Sequence, residues 1–287
     1  MAELVGALRA DFELRGILSS QNASCLRRVE TDFGMKLAAT LTSEAIDTYI
    51  NMRLARGSAP ATINRVTQLL GQAYELAIER EHLSRAPHIR RLSEAGNTRK
   101  GFVDPADFAR VLAALPDDLK DICAWLYATG QRKGEASSLT WAMLDGDILH
   151  IPGSITKNGK DRVLPLIGEL VELIERRKAA RYVNGALCEF IFHRGGHPVQ
   201  ECRKSWATAT RKAGCPGLLL HDLRRSACRN LRKAGVPEQI AMQVSGHLTP
   251  SIFQRYSIVD TTDVAEALRK TQDYRQAVAK SKVVAMR

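Results

Sequence analysis

The segment HDLRRSACRNL, residues 221–231, combines a histidine and several arginines with a helical pattern. Residues three apart on a helix lie on one face, so His221 and Arg224 could both reach the same anion. A basic run of this kind more often marks a solvated helix face. The segment by itself therefore leaves two interpretations open, a pair of phosphate ligands and a solvated surface.

Other segments carry residues that could act on the same anion. Arg132 follows an apolar segment and precedes Glu135 by three residues, and Lys157 lies in the turn-like segment TKNGKD. His247 is followed nine residues later by Tyr256. Guanidinium groups can hold two oxygens of a phosphodiester and bind more strongly as negative charge develops. A tyrosine can attack the phosphorus and a lysine can protonate the leaving oxygen, so these residue types suit phosphodiester cleavage.

The order and spacing of these residues resemble the tyrosine recombinase, or phage integrase, family over residues 102–265. The matching positions are Thr129, Gly130, Arg132 and Glu135, then Lys157 before RVLPL, then His221 and Arg224, and finally Gly246, His247 and Tyr256. The resemblance implies that the catalytic residues are Arg132, Lys157, His221, Arg224, His247 and the nucleophile Tyr256, with Glu135 as structural support. Gln131 and Ser245 depart from the family pattern, and we expect neither to touch the phosphate chemistry.

This resemblance implies a DNA strand transferase that works through a 3′-phosphotyrosine, without a metal ion or another cofactor. The expected role is integration, excision or resolution of a mobile element or phage. The expected partner is double-stranded DNA, bound by a homotetramer on paired recombination sites that is assembled from free monomers. Accessory DNA-bending or directionality proteins are possible further partners. Two alternatives stay open, a type IB topoisomerase-like enzyme that relaxes DNA and a catalytically silent DNA-binding protein.

The composition agrees with a polyanionic partner. The 287 residues include 42 Lys and Arg against 31 Asp and Glu, a net charge of +11, and such an excess favours nucleic acid. No apolar run approaches the length of a membrane span, and the N-terminus carries acidic residues where a signal peptide needs a basic and then an apolar start. We therefore expect a cytoplasmic protein, associated with the nucleoid when it is bound to DNA, and no membrane partner.

The cysteine pattern gives little support for a metal site. The six cysteines are scattered and form no CxxC pair, which favours reduced thiols. One segment gathers possible ligands at Cys188, His193, His197 and Cys202. Each cysteine is separated from the nearest of these histidines by four residues, and zinc sites usually use shorter spacing. We therefore predict no metal site there.

The surrounding elements must bring the candidate residues together. Residues 1–92 show helical periodicity and predict a helical DNA-binding domain, which resembles the core-binding (SAM-like) domain of the family. Residues 93–101 form a basic linker rich in turn residues. Residues 102–287 predict a catalytic domain that is mostly α-helical, with a small antiparallel sheet around residues 147–166 and a short strand at residues 189–192. A C-terminal helix after Tyr256 would dock either on its own domain or on a neighbouring protomer.

Overall fold

The chain divides into two compact units, Met1–Thr98 and Arg99–Arg287. The computed structural model describes all residues except 96–100, 251–252, 254–260 and 285–287. In the C-terminal helix, it describes the side chains of residues 264, 265 and 267–276 only. Within these described ranges, no helix is both long enough and apolar enough to cross a lipid bilayer.

The first unit is helical. Its helices are α1 (Ala2–Leu14), α2 (Ser20–Phe33), α3 (Ser43–Ala55) and α4 (Pro60–Glu79). Side-chain oxygens cap two of the helix starts, since Ser19 accepts the backbone N–H of Asn22 and Thr42 accepts that of Ala45. The apolar stripe of α4 lies against α1 and α2, with Leu70 and Tyr74 fully buried in the core.

A side-chain contact holds the extended segment after α4 against that helix. The Asn64 side chain donates to the Leu92 carbonyl and accepts the Leu92 backbone N–H, both at 2.9 Å. It also donates to the Glu94 carboxylate at 2.8 Å. Because this amide replaces the backbone partners that an extended chain lacks, residues 92–94 are held by the first unit.

The second unit is also mostly helical, with small antiparallel sheets. Its helices are α5 (Pro105–Ala114), α6 (Asp117–Thr129), α7 (Lys133–Ser137), α8 (Glu169–Ala179), α9 (Arg203–Lys212), α10 (Asp222–Lys233), α11 (Glu238–Ser245) and α12 (Thr261–Val284). Its strands are β1 (Leu144–Asp145), β2 (Ile148–Ile151), β3 (Arg162–Pro165), β4 (Tyr182–Val183), β5 (Ala186–Leu187), β6 (His193–Arg194) and β7 (His197–Pro198). The predicted fold class is therefore confirmed.

The strands form a three-stranded meander and two short hairpins. The meander has the order β1-β2-β3, and Leu149 pairs with Leu164 across it. β4 pairs with β5, and β6 pairs with β7. The predicted strand at residues 189–192 was wrong in its position, since Phe190 makes a single bridge to Thr140 and the paired strand begins at His193. The position of the strand at that point was set by which backbone groups found pairing partners, and not by local β propensity.

The core of the second unit positions the ends of α6, α10 and α11. α10 packs closely on both α6 and α11. α6 ends at Gly130 and α11 ends at Gly246, both in the left-handed conformation that favours glycine. A Cβ on Gly130 would lie 3.1 Å from the Ala227 Cβ and 3.4 Å from the Ser245 Cβ. The two helix ends therefore meet on one side of α10.

Candidate active site

Glu135 is the electrostatic centre of the site. The residue is only 4% exposed and lies in the first turn of α7. Its Oε1 accepts from Arg132 Nη1 at 2.8 Å and from the Lys157 backbone N–H at 3.3 Å, and its Oε2 accepts from Arg162 Nη2 at 3.1 Å. Burial opposes ionisation, but the hydrogen bonds and the two guanidinium charges outweigh it and lower the pKa of Glu135. The carboxylate therefore stays ionised and holds Arg132, the Lys157 backbone and Arg162 together.

Arg162 is a site residue that the sequence analysis did not identify. Its side chain is 9% exposed, and its Nη1 lies so close to Gly246 that a Cβ there would be 2.0 Å away. The sequence contains one indication of this role. Side chains alternate along a strand, so Arg162 shares a face with the buried Leu164 and Leu166. A cation on the apolar face of a strand needs an anionic partner.

Arg224 lies at the meeting point of α6 and α11. The residue is 2% exposed, and its Nη1 donates to the Gly130 carbonyl at 2.5 Å and to the Ser245 carbonyl. Both carbonyls belong to helix C-termini, where unpaired carbonyls and the helix dipole favour a cation. Arg224 is thus held in a fixed orientation, and its acceptor at Gly130 is only two residues before Arg132.

His247 is buried beside the same cations. It is 6% exposed, its Nδ1 lies 2.8 Å from Ser245 Oγ, and the Phe253 ring contacts it edge-on at 5.5 Å between centroids. Burial lowers the pKa of His247 to about 3, and the charges of Arg224 and Arg132 act in the same direction. The ring is therefore neutral at physiological pH in the protein without DNA.

His221 is the N-cap residue of α10 and remains exposed to solvent. Desolvation by the surrounding protein lowers its pKa, and the nearby charges of Arg224 and Arg225 lower it further. Because solvent still reaches the exposed imidazole, the guanidinium charges explain this lowered pKa better than desolvation does. His221 can therefore exchange protons with solvent more readily than the buried His247.

Lys157 is presented by the turn between β2 and β3. Its side chain is exposed, while its backbone N–H points to Glu135. The turn is closed by hydrogen bonds from the Gly153 N–H to Asp161 at 2.6 Å and from the Thr156 hydroxyl to the Lys160 carbonyl at 3.0 Å. The turn thus fixes the backbone of Lys157 and leaves its ammonium group in solvent.

The structure brings most of the predicted residues together. Arg132, Glu135 and the Lys157 backbone are in direct contact, and the pKa of His247 responds to Arg132, Arg224 and His221. Tyr256 lies outside the described residues. Ser245, which we expected to be remote from the chemistry, contacts both Arg224 and His247.

The segment around Cys188 has a structural arrangement. The His193 Nε2 contacts the Ala180 carbonyl at 3.1 Å, and the Cys188 thiol donates to the Gly196 carbonyl at 3.4 Å. Over the part of the chain that the structure describes, no group of three or more His, Cys, Asp and Glu residues is placed to hold a metal ion.

Known tyrosine recombinases are similar to this chain in sequence, and a solved integrase structure is similar to it in fold. Tyrosine recombinase XerC of Corynebacterium efficiens is 26% identical over 257 residues, covering 82% of this chain and 81% of that protein. Tyrosine recombinase XerA of Pyrococcus horikoshii is 27% identical over 172 residues, and the match covers 58% of this chain and 60% of that protein. Among solved structures, a lambda integrase dimer bound to a COC′ core site has the same fold, with a TM-score of 0.77, 17% identity, and coverage of 90% of this chain and 95% of that chain.

The family comparison matches the part of the chain that holds the site. The model of the phage integrase family matches residues 102–262, which include every one of the predicted site residues. Because this match covers more than half of the 287 residues, the chain belongs to the phage integrase family of tyrosine recombinases.

Proposed function

We propose that this chain is a site-specific recombinase that cleaves and rejoins duplex DNA through a 3′-phosphotyrosine on Tyr256. The phenol oxygen attacks the scissile phosphorus, and the 5′-oxygen leaves with a proton from Lys157. The 5′-hydroxyl of another strand then attacks the phosphotyrosine and releases Tyr256. Because the phosphotyrosine conserves the bond energy, strand exchange needs neither ATP nor a metal ion.

The observation that carries this proposal is the fixed position of Arg224. Its hydrogen bonds to the Gly130 and Ser245 carbonyls hold its guanidinium next to the segment that carries Arg132 and next to His247. Preorganised cations stabilise the negative charge that develops at phosphorus, because they need no reorganisation during the reaction. Glu135 fixes Arg132 in the same way.

The proposed substrate is duplex DNA, and the proposed assembly is a homotetramer on two paired sites. The net charge of +11 favours a polyanion, and the related lambda integrase structure is a dimer on a core site. In α12, Val264 and Leu268 are 51% and 67% exposed. A neighbouring protomer that covered these two apolar side chains would also constrain α12, which follows Tyr256 in the chain. Such a contact would link assembly to DNA cleavage. The proposed role is the integration, excision or resolution of a phage or mobile element.

The direct test of the chemistry is the capture of the covalent intermediate. The full chain is incubated with nicked duplexes cut from the DNA that flanks its gene, and adducts are separated under denaturing conditions. Tyr256→Phe should abolish the adduct and leave duplex binding unchanged. Tyr274→Phe is the matched control, because Tyr274 is 69% exposed in α12 and should leave the adduct intact. Adducts that survive Tyr256→Phe would refute the proposal.

A second assay separates recombination from relaxation. Two duplexes that carry different labels are mixed with the protein, and the exchange of labels is followed on a gel. Supercoiled plasmid without the recombination sites is treated in parallel. A recombinase should exchange labels between paired sites, whereas relaxation without any exchange would indicate the topoisomerase alternative.

A further inference from the structure

A segment of the first unit that follows α4 is held along that helix. Residues 84–94 form neither a helix nor a strand and are called the strap here. A Cβ on Gly71 would lie 3.5 Å from Ile89 Cδ1. Further along the strap, Leu92 is bonded to Asn64, which lies earlier in α4. The strap therefore runs antiparallel to α4, and Ile89 and Leu92 pack against the core of the first unit.

Asn64 binds the strap through both polar atoms of its side chain. The residue is 7% exposed and lies in the second turn of α4. The Leu92 backbone N–H can only donate, so it identifies Oδ1 as the acceptor, and Nδ2 donates to the carbonyl of Leu92 and to the carboxylate of Glu94. Asparagine is unfavourable in a helix interior, and a buried amide without a partner is destabilising. The contact with the strap accounts for an asparagine at this position.

The strap and α4 place several guanidinium groups around one cavity. The strap contains three arginines and one glutamate. The cavity between the strap and α4 has a volume of about 430 Å³, and its charged lining residues are Arg65, Glu75, Arg90, Arg91 and Glu94. Cations therefore outnumber anions there.

The strap arginines are ion-paired at the surface. Arg90 Nη2 lies 3.4 Å from Asp47 Oδ2, and Arg91 Nη2 lies 3.7 Å from Glu94 Oε1. The side chains of Arg90 and Arg91 are 68% and 83% exposed, so solvent screens both pairs and each contributes little to stability. Both guanidinium groups can therefore exchange these carboxylates for the phosphates of a bound polyanion.

We propose that Asn64 is a positioning residue for DNA binding, which holds Arg90 and Arg91 on the strap so that they contact phosphates of duplex DNA. This role rests on the function proposed above, because that function makes duplex DNA the polyanion. Contacts to phosphates are independent of base sequence. Without the bonds from Asn64, the strap would become ordered only when DNA binds, and the conformational entropy lost in that step would weaken binding.

The dependence of DNA affinity on salt tests the strap arginines. The full chain is titrated into a labelled duplex of arbitrary sequence at several salt concentrations, and binding is followed by fluorescence anisotropy. Arg90→Gln combined with Arg91→Gln should make the slope of log affinity against log salt shallower by about 1.8, because each phosphate contact contributes about 0.9. Arg176→Gln combined with Lys178→Gln is the matched control, since these cations of α8 are also ion-paired at the surface. A wild-type slope in the strap variant would overturn the proposal.

Asn64→Leu tests the positioning role, because leucine has a similar volume and cannot bond the strap. It should lower the affinity for the same duplex by at least about threefold and make the salt slope shallower. Thr67→Val is the matched control. Thr67 is also buried in α4, and its hydroxyl donates to the carbonyls of Ile63 and Asn64, so its loss leaves the side-chain bonds to the strap in place. Wild-type affinity and slope in Asn64→Leu would refute the positioning role.

Limited digestion with trypsin reports on the strap directly. Trypsin cleaves after arginine, and an ordered segment is cut slowly because it must first open. Asn64→Leu should be cut after Arg90 and Arg91 faster than the wild-type chain and Thr67→Val, and duplex DNA should protect these bonds in the wild-type chain. Protection by poly-glutamate and not by duplex DNA would overturn the proposal in favour of an acidic protein partner. If Asn64→Leu shows no cooperative urea unfolding, the salt slope of the variant without Arg90 and Arg91 decides.

The outcomes separate this proposal from the proposed function. If the chain forms no covalent adduct on DNA, the proposed function fails, and the salt slopes still test the strap. If the chain cleaves DNA but binds it with the same slope after the loss of Arg90 and Arg91, the role of the strap is refuted and the proposed function stands.

Discussion

Alanine at Gly246 should disrupt the site through Arg162. Gly246 has a φ of +72° at the end of α11, and a Cβ there would lie 2.0 Å from Arg162 Nη1 and 3.0 Å from its Cζ. Gly235 provides a matched control after α10, because its φ is +76° and its added Cβ would meet nothing within 4 Å. Both substitutions impose the same left-handed backbone on alanine, but only Gly246→Ala displaces a guanidinium group.

The expected magnitude follows from these two contributions. A left-handed backbone costs an alanine roughly 1–2 kcal/mol, and this cost applies to both variants. To reach an ordinary contact distance of about 3.5 Å, the Arg162 guanidinium must move by about 1.5 Å. That movement breaks its 3.1 Å bond to Glu135, and buried hydrogen bonds to charged groups contribute about 1.5–3 kcal/mol. Gly246→Ala should therefore lower the free energy of unfolding by about 1.5–3 kcal/mol more than Gly235→Ala does.

Urea unfolding of the two variants measures this difference, and single-turnover DNA cleavage measures its effect on the site. Without Arg162, Glu135 should hold Arg132 more strongly and so weaken the contact of Arg132 with the phosphate. Cleavage by Gly246→Ala should therefore be at least about tenfold slower than that by Gly235→Ala. Equal stability and equal cleavage rates in the two variants would refute the structural role of Arg162.

The remaining predictions concern His247, Arg224 and the need for metal. The pKa of His247 is about 3 in the folded chain and ~6.5 when unfolded. The unfolded state therefore binds more protons in acid, and the stability due to neutral His247 is complete above pH ~6.5 and falls between that pH and about 3. Urea unfolding at pH 7 and at pH 5 should show a loss of up to about 2 kcal/mol that is absent in His247→Gln. Arg224→Lys should slow cleavage by about 10²-fold or more, measured in single turnover, because lysine cannot contact two helix ends and a phosphate as a planar fork; a near wild-type rate would contradict this. Strand exchange should proceed unchanged in EDTA, and activity that is lost there and restored by zinc or magnesium would contradict the metal-free chemistry.

Several features of the fold could be predicted from local sequence. α5 begins with Asp104 and Pro105, whose capping oxygen and fixed φ are local helix-start signals. α6 ends at Gly130, because glycine adopts the left-handed conformation at low cost. The β2–β3 meander could be predicted from alternating apolar residues around a turn. Each signal acts over a few residues, and so it can be read without knowledge of the packing.

The candidate site was only partly predictable. The order and spacing of Arg132, Lys157, His221, Arg224 and His247 indicated the family, because those motifs are local in the chain. Arg162 was missed because its role depends on an ion pair with Glu135, 27 residues away. The alternation of side chains along β3 indicates that Arg162 needs an anionic partner, but no local pattern identifies Glu135 as that partner.

By itself, the sequence determined the family, the mostly helical fold class and the set of residue types suited to phosphodiester chemistry, since motif spacing and helix capping are properties of short segments. Only the tertiary structure decided which atoms these residues bind. Arg224 is fixed by carbonyls that belong to two different helix ends, and the Ser245 hydroxyl contacts both the Ala241 carbonyl and His247. Such contacts depend on how α6, α10 and α11 pack, and packing is decided by the whole core rather than by any one segment.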